Sequence, residues 1–138
     1  LIIFRPHNVY GPNMGSEHVI PQFINRFKSL KGKNFKIQGS GNEIRSFIYI
    51  KDFLSAFNLL LNRGKHLRVY NIGTVEKIKI KNLAFKLSKI LKKKIILKQS
   101  PLAKGGTKVR IPNIEKIKKL GFIPKFYLDK GLRETLGL

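Results

Sequence analysis

The chain contains no cysteine. That excludes a disulfide framework, a thiolate zinc site and a cysteine nucleophile. Acidic residues are scarce, with Asp and Glu totalling 7 against 29 Lys and Arg, a formal net charge of +22. Asp52 and Asp129 are the only aspartates, both placed where helix caps are expected. The glutamates are scattered, so no carboxylate pair stands out for acid–base work. His7, His18 and His66 lack metal-ligand spacing. No apolar run approaches the roughly 20 residues of a membrane span. None of Tyr10, Tyr49, Tyr70 and Tyr127 has a lysine four residues on, and no serine sits in a nucleophile elbow. The opening Leu1-Ile2-Ile3-Phe4-Arg5 lacks an initiator Met and the basic n-region of a signal peptide, and reads as a buried strand taken from a longer protein.

What is present is enough for a core. The chain has 138 residues, 42% hydrophobic and 10% aromatic, room for one domain and no reason for disorder. Its charge favours anionic partners such as nucleic acid, acidic membrane or phosphorylated ligands. An AT-rich coding sequence, which enriches Lys, Ile and Asn together, explains the evenly spread lysines better.

Strand-like and helix-like segments alternate, the pattern of an α/β protein. Residues 1–5 read as a strand, followed by a polar loop from Pro6 to Ser16. Val19, Ile20, Phe23, Ile24 and Phe27 recur at helical spacing to about Lys31, with Pro21 in the first turn. Phe35 to Ile37 is a strand. Arg45 to Ile50 is a second, which would place Arg45, Phe47 and Tyr49 on one face. Asp52 is the expected N-cap of a helix carrying Phe53, Phe57, Leu60 and Leu61. Val69–Ile72 and Ile95–Leu97 are strands, and Leu83, Leu87, Ile90 and Leu91 mark a helix between them. Ile114, Ile117 and Leu120 form a short helix stopped by Gly121, and Leu128–Leu136 a terminal one.

Gly39-Ser40-Gly41-Asn42-Glu43-Ile44 has two of the three glycines of a dinucleotide fingerprint, but a strand follows where a helix N-terminus is needed. It reads as a tight turn between two strands. Arg5-Pro6-His7-Asn8-Val9-Tyr10-Gly11-Pro12 leaves the C-terminal end of a strand, where ligands of open α/β sheets collect. Asn8 offers a donor and an acceptor there, or closes an Asx-turn. Arg45 offers a planar fork to phosphate, or forms a surface ion pair. These residues describe a binding surface and no catalytic machine.

Three segments in this order, Arg5 to Pro12, Val19-Ile20-Pro21-Gln22-Phe23-Ile24, and Gly39 to Asp52, resemble the second half of the extended short-chain dehydrogenase/reductases, the NAD-dependent nucleotide-sugar epimerases and dehydratases. Val69-Tyr70-Asn71-Ile72-Gly73 is similar to that family's next strand. Gly105 to Arg110 and Lys118 to Pro124 resemble its C-terminal substrate lobe.

The resemblance implies an α/β fold: the C-terminal part of a Rossmann-type parallel sheet plus a small mixed α/β substrate-binding lobe, with residues 1–138 as a single partial unit truncated relative to the family. It implies that the NAD loop and the catalytic Tyr-Lys belong to an N-terminal half outside this chain, so that no residue here is catalytic or cofactor-binding and the fragment itself is inactive. It places substrate-binding roles on Asn8, on Glu17 and His18 ahead of the first helix, on Phe35 and Ile37 along the base, on Arg45 at the phosphates, and on Asn71. Lys104 falls where the family has a second phosphate-binding arginine. A lysine supplies a point charge without a fork, and Arg110 is the alternative.

The implied partner is a nucleoside-diphosphate sugar, not nucleic acid or membrane. The implied whole protein is a cytoplasmic homodimer, an isomerase or lyase of carbohydrate metabolism that passes a hydride transiently to NAD. The competing reading is a basic nucleic-acid-binding module that stacks bases on Phe47 and Tyr49 beside Arg45.

Overall fold

A computed structural model of the chain describes residues 1–101 and 106–138. The elements in chain order are β1 (Ile3–Pro6), β2 (Val9–Tyr10), α1 (Val19–Lys28), β3 (Asn34–Gln38), β4 (Ile44–Arg45), β5 (Ile48–Tyr49), α2 (Ile50–Arg63), β6 (Val69–Ile72), β7 (Ile78–Lys79), α3 (Ile80–Ile90), β8 (Ile96–Ser100), β9 (Val109–Arg110), α4 (Glu115–Lys118) and α5 (Leu128–Leu136). They fall into two compact units. The first comprises Leu1–Pro12, Ser46–Glu76 and Ile111–Leu138; the second comprises Asn13–Arg45 and Lys77–Arg110.

In the first unit β1 pairs β6 in parallel, Ile3 opposite Val69 through Pro6 opposite Ile72, and β2 pairs β5 in parallel. Its core joins Ile48, Ala56, Leu60, Tyr70, Ile72, Ile114, Ile117 and Phe122. Alternation in Val69-Tyr70-Asn71-Ile72 sends Tyr70 and Ile72 inward and leaves Asn71 half-buried, as period two requires. In the second unit β3 pairs β8 in parallel, and β4 lies between antiparallel β7 and parallel β9. α1 buries Ile20, Phe23, Ile24 and Phe27, and α3 buries Leu83, Ala84 and Leu87. Phe27 stacks on Phe35 with ring centroids 4.2 Å apart.

Several expectations are corrected. The strand expected over Arg45 to Ile50 is two short strands, β4 and β5, and Ile50 already opens α2. Arg45 belongs to the second unit, while Phe47 and Tyr49 are buried in the first at 6% and 2% exposure. They pack as rings on Tyr10, so they offer no base-stacking face.

The N-cap of α2 is Tyr49, not Asp52. Asp52 sits one turn in, buried, and its carboxylate accepts from the backbone amides of Lys125 (3.0 Å) and Phe126 (2.9 Å). Its negative charge also suits the positive N-terminal end of the helix. Leu61 points to solvent at 63% exposure, because α2 turns Ala56 and Leu60 to the core.

β1 is exposed, with Ile3 at 40% and Phe4 at 39%. Among the described residues it pairs with β6 alone, and Phe4 rests on Phe53 and Phe57 of α2. The Gly39–Gly41 turn does not close a hairpin, because β3 and β4 join different sheets. Gly41 has φ +76°, and a Cβ there would fall 2.9 Å from Lys81 Cβ and closer still to Ile37, so glycine is required on both counts.

Candidate anion-binding site

The parallel register of β4 and β9 sets Arg45 opposite Arg110. Neighbours across a parallel pair share a face, so two guanidinium-bearing chains stand side by side. Arg45 is half-buried and anchored: its Nη1 donates to the Ile44 carbonyl (2.8 Å) and its Nη2 to the Thr107 carbonyl (2.8 Å). A guanidinium has five N–H donors, so these bonds fix the fork and leave donors over. Burial, and then the neighbouring Arg110 charge, lower the Arg45 pKa from the ordinary arginine value, while Glu43 partly offsets them. Like charges held together in partial burial make a focus of positive potential that favours an anion.

The turn before Arg45 is built by Glu43. Its Oε1 accepts from the Ser40 amide and the Ser40 hydroxyl, each at 3.1 Å, and its Oε2 is buried with no partner among the described residues. Burial raises the carboxyl pKa, but hydrogen bonds from its own amide, Ser40 and Gly41 outweigh that, so Glu43 titrates below the ordinary glutamate value.

In the first unit, Asn8 follows β1 and Asn71 lies within β6, so both stand toward the C-terminal ends of paired parallel strands. The ladder continues one step beyond β1, with the His7 amide donating to the Ile72 carbonyl (2.9 Å). Asn8 adopts φ +43°, a left-handed conformation that asparagine tolerates better than most residues, and its Nδ2 donates to the Ser46 carbonyl (2.8 Å). Asn71 Nδ2 donates to the Asn113 carbonyl (2.8 Å).

The other expected site residues fare differently. Glu17 and His18 are exposed; His18 is the N-cap of α1 and its carbonyl accepts from the Gln22 amide (2.9 Å). Phe35 and Ile37 are 1% and 2% exposed. The alternation of β3 sends them into the core and presents Asn34, Lys36 and Gln38 outward. Lys104 lies outside the described residues. Sequence reasoning missed Glu43, whose carboxylate three residues after Ser40 was the available signal. It also missed Arg26, whose guanidinium lies 4.5 Å from the Phe35 ring centroid and donates to the Lys36 carbonyl.

Parallel strands joined through helices define an α/β protein, with two arginines paired across β4 and β9. The model of the NAD dependent epimerase/dehydratase family matches residues 1–73, more than half of the chain, and the protein belongs to that family. A trifunctional UDP-glucose 4,6-dehydratase/UDP-4-keto-6-deoxy-D-glucose 3,5-epimerase/UDP-4-keto-L-rhamnose-reductase of Arabidopsis thaliana is 32% identical over 99% of this chain, which spans 20% of that protein. The dTDP-D-glucose 4,6-dehydratase of Homo sapiens is 35% identical over 99% of this chain and 40% of its own length. Among solved structures, the UDP-glucose 4-epimerase of Thermotoga maritima with UDP-glucose superposes with a TM-score of 0.89 at 29% identity, covering 99% of this chain and 44% of the epimerase. The chain thus spans less than half the length of these relatives.

Proposed function

We infer that this chain is the nucleotide-sugar-binding portion of an NAD-dependent nucleotide-sugar epimerase or dehydratase, corresponding to the last Rossmann strands and the substrate lobe. The observation that carries this reading is the Arg45–Arg110 pair across β4 and β9. A nucleoside diphosphate brings about two negative charges and oxygen pairs that match a guanidinium fork. Arg45 is the first phosphate contact, held in place by the Ile44 and Thr107 carbonyls. Arg110 is the second contact among the described residues. Asn8 and Asn71, in the first unit, are proposed separately as polar groups for the substrate at their strand ends, and Glu17 and His18 precede α1 in the second. Family membership and a relative solved with UDP-glucose support the substrate class.

The family's cofactor finds no fit in these residues. The Gly39–Gly41 turn leads from β3 into β4, so no helix N-terminus receives a pyrophosphate there. No tyrosine has a lysine four residues on. No residue of this chain is therefore assigned to NAD or to proton transfer, and the chain alone should turn over no nucleotide sugar.

Calorimetric titration of the chain with UDP and with dTDP tests the reading. Saturable binding of either, weakened by Arg45→Ala and partly restored by Arg45→Lys, supports it. Binding of neither nucleotide, or binding indifferent to Arg45, overturns it.

A further inference from the structure

One edge of β3 is open, and Arg26 stands on it. The Lys33 carbonyl and the Gly39 amide both turn toward β8. Alternation along the strand therefore turns the amide and carbonyl of Lys36 the other way, where β3 has no strand neighbour among the described residues. The Arg26 guanidinium donates to that Lys36 carbonyl and lies 4.5 Å from the Phe35 ring centroid and 5.7 Å from that of Phe23. A carbonyl and two aromatic rings hold the fork in place. A guanidinium has five N–H donors, so most of them remain for a ligand.

Beside the fork opens a recess of about 280 Å³, lined by Arg26, Ser29, Lys31, Asn34, Phe35 and Lys36, all within the second unit. α1 ends at this recess, and a helix C-terminus ordinarily disfavours anions. Here its carbonyls are already occupied. The Ser29 amide and hydroxyl donate to the Asn25 carbonyl (3.1 and 3.2 Å), and the Leu30 amide donates to the Phe27 carbonyl (3.3 Å). No carboxylate lines the recess, and the chain from His18 to Asn42 contains none. What the recess offers is donors: a fixed fork, two ammonium groups, the Asn34 side chain and the edge amide of Lys36.

We propose that this recess binds the phosphate group of a small phosphomonoester. A carboxylate brings one charge and two oxygens, which the Arg26 fork alone would satisfy. A phosphate monoester brings about two charges and three strong acceptor oxygens, enough to engage the fork, both lysines and the edge amide together. The volume lies near the lower end of ordinary ligand sites, so the ester group is small. Phe35 is 1% exposed beneath Arg26, so no ring face is open for a nucleobase to stack on. The site shares no residue with the Arg45–Arg110 pair and does not depend on the reading given to that pair.

Residue-resolved NMR titration of the full chain with glycerol 3-phosphate tests this, with sodium chloride at equal ionic strength as the control. The Lys36 amide and the Arg26 side-chain N–H should shift together and saturate, and chloride should not reproduce the shifts. Arg26→Ala should raise the dissociation constant by at least about tenfold. Arg26→Lys should recover part of that loss, since it keeps the charge without the fork. The exposed pair Lys31→Ala with Lys36→Ala should weaken binding and leave the urea midpoint unchanged, which separates lost contacts from lost folding. The matched pair Lys119→Ala with Lys125→Ala, exposed in the first unit, should change affinity far less. The proposal is overturned by the absence of a saturable shift at the Lys36 amide, or by shifts that chloride reproduces. It is also overturned by equal losses from the two lysine pairs, which would mean that net charge alone acts.

Discussion

The two units spend their carboxylates differently. In the first, Asp52 gathers the amides of Lys125 and Phe126, Glu76 accepts from the Leu128 amide (2.9 Å), and Glu134 and Glu115 pair with Lys51 and Lys118. Acid there fastens the C-terminal residues onto the strands and α2. In the second, Glu43 shapes one turn and Glu17 is exposed, so most cations have no carboxylate to meet. The first unit is closed by its polar groups, whereas the second carries eighteen Lys and Arg against two carboxylates. Arg45 is the clearest case, since its anchors are carbonyls, which hold the fork without neutralising it.

Breaking the closure of the first unit should have the largest effect. Asp52→Ala leaves two part-buried amides without an acceptor and should cost about 3 kcal/mol, read as a lower urea midpoint. Gly131→Ala should come next. A Cβ at this position runs into the Tyr10 hydroxyl, and Tyr10 is 2% exposed with no room to retreat. Overpacking should therefore outweigh the helix-propensity gain of alanine and destabilise by about 2 kcal/mol, by the same measurement. Neither change should alter the intrinsic affinity for a nucleoside diphosphate in the molecules that remain folded.

The second unit should respond in the opposite sense. Arg45→Ala should raise the nucleoside-diphosphate dissociation constant about tenfold to a hundredfold, the worth of a charge-assisted contact, with little change in the urea midpoint. Glu43→Gln should have the smallest effect at neutral pH and show itself in acid. A carboxyl whose folded pKa lies below its unfolded value stabilises the fold above the unfolded value, and that stability disappears as pH falls through the folded one. The wild-type chain should therefore lose stability below the ordinary glutamate range, and Glu43→Gln should flatten that loss in a series of melts from neutral to acid pH.

Much of this architecture is legible in the residues. Val69–Ile72 and Leu128–Leu136 form with the expected bounds because each has an unbroken period, two in the strand and 3.6 in the helix. The stretch from Arg45 to Ile50 misleads because its alternation satisfies a strand while the chain passes from one unit to the other at Ser46. Local period carries no information about which core a residue joins. Phe35 and Ile37 turn inward for another reason. Family resemblance brings a segment near a ligand, yet alternation decides which of its side chains face out, and here those are Asn34, Lys36 and Gln38. The pairing of Arg45 with Arg110 joins residues far apart in sequence through β-register, which no short window reveals. The role of Asp52 depends on Lys125 and Phe126 returning to the start of α2, and is hidden for the same reason.

A double-mutant cycle across β4 and β9 tests the central claim, that Arg45 and Arg110 together hold a diphosphate. Wild type, Arg45→Ala, Arg110→Ala and the double variant are titrated calorimetrically with UDP and with uridine. Each single change should weaken UDP, and the double variant should lose less than the product of the two losses, because both cations serve one anion. Uridine, which carries no phosphate, should be indifferent to all three changes. Independent losses that multiply fully, or equal losses for UDP and uridine, would contradict the claim.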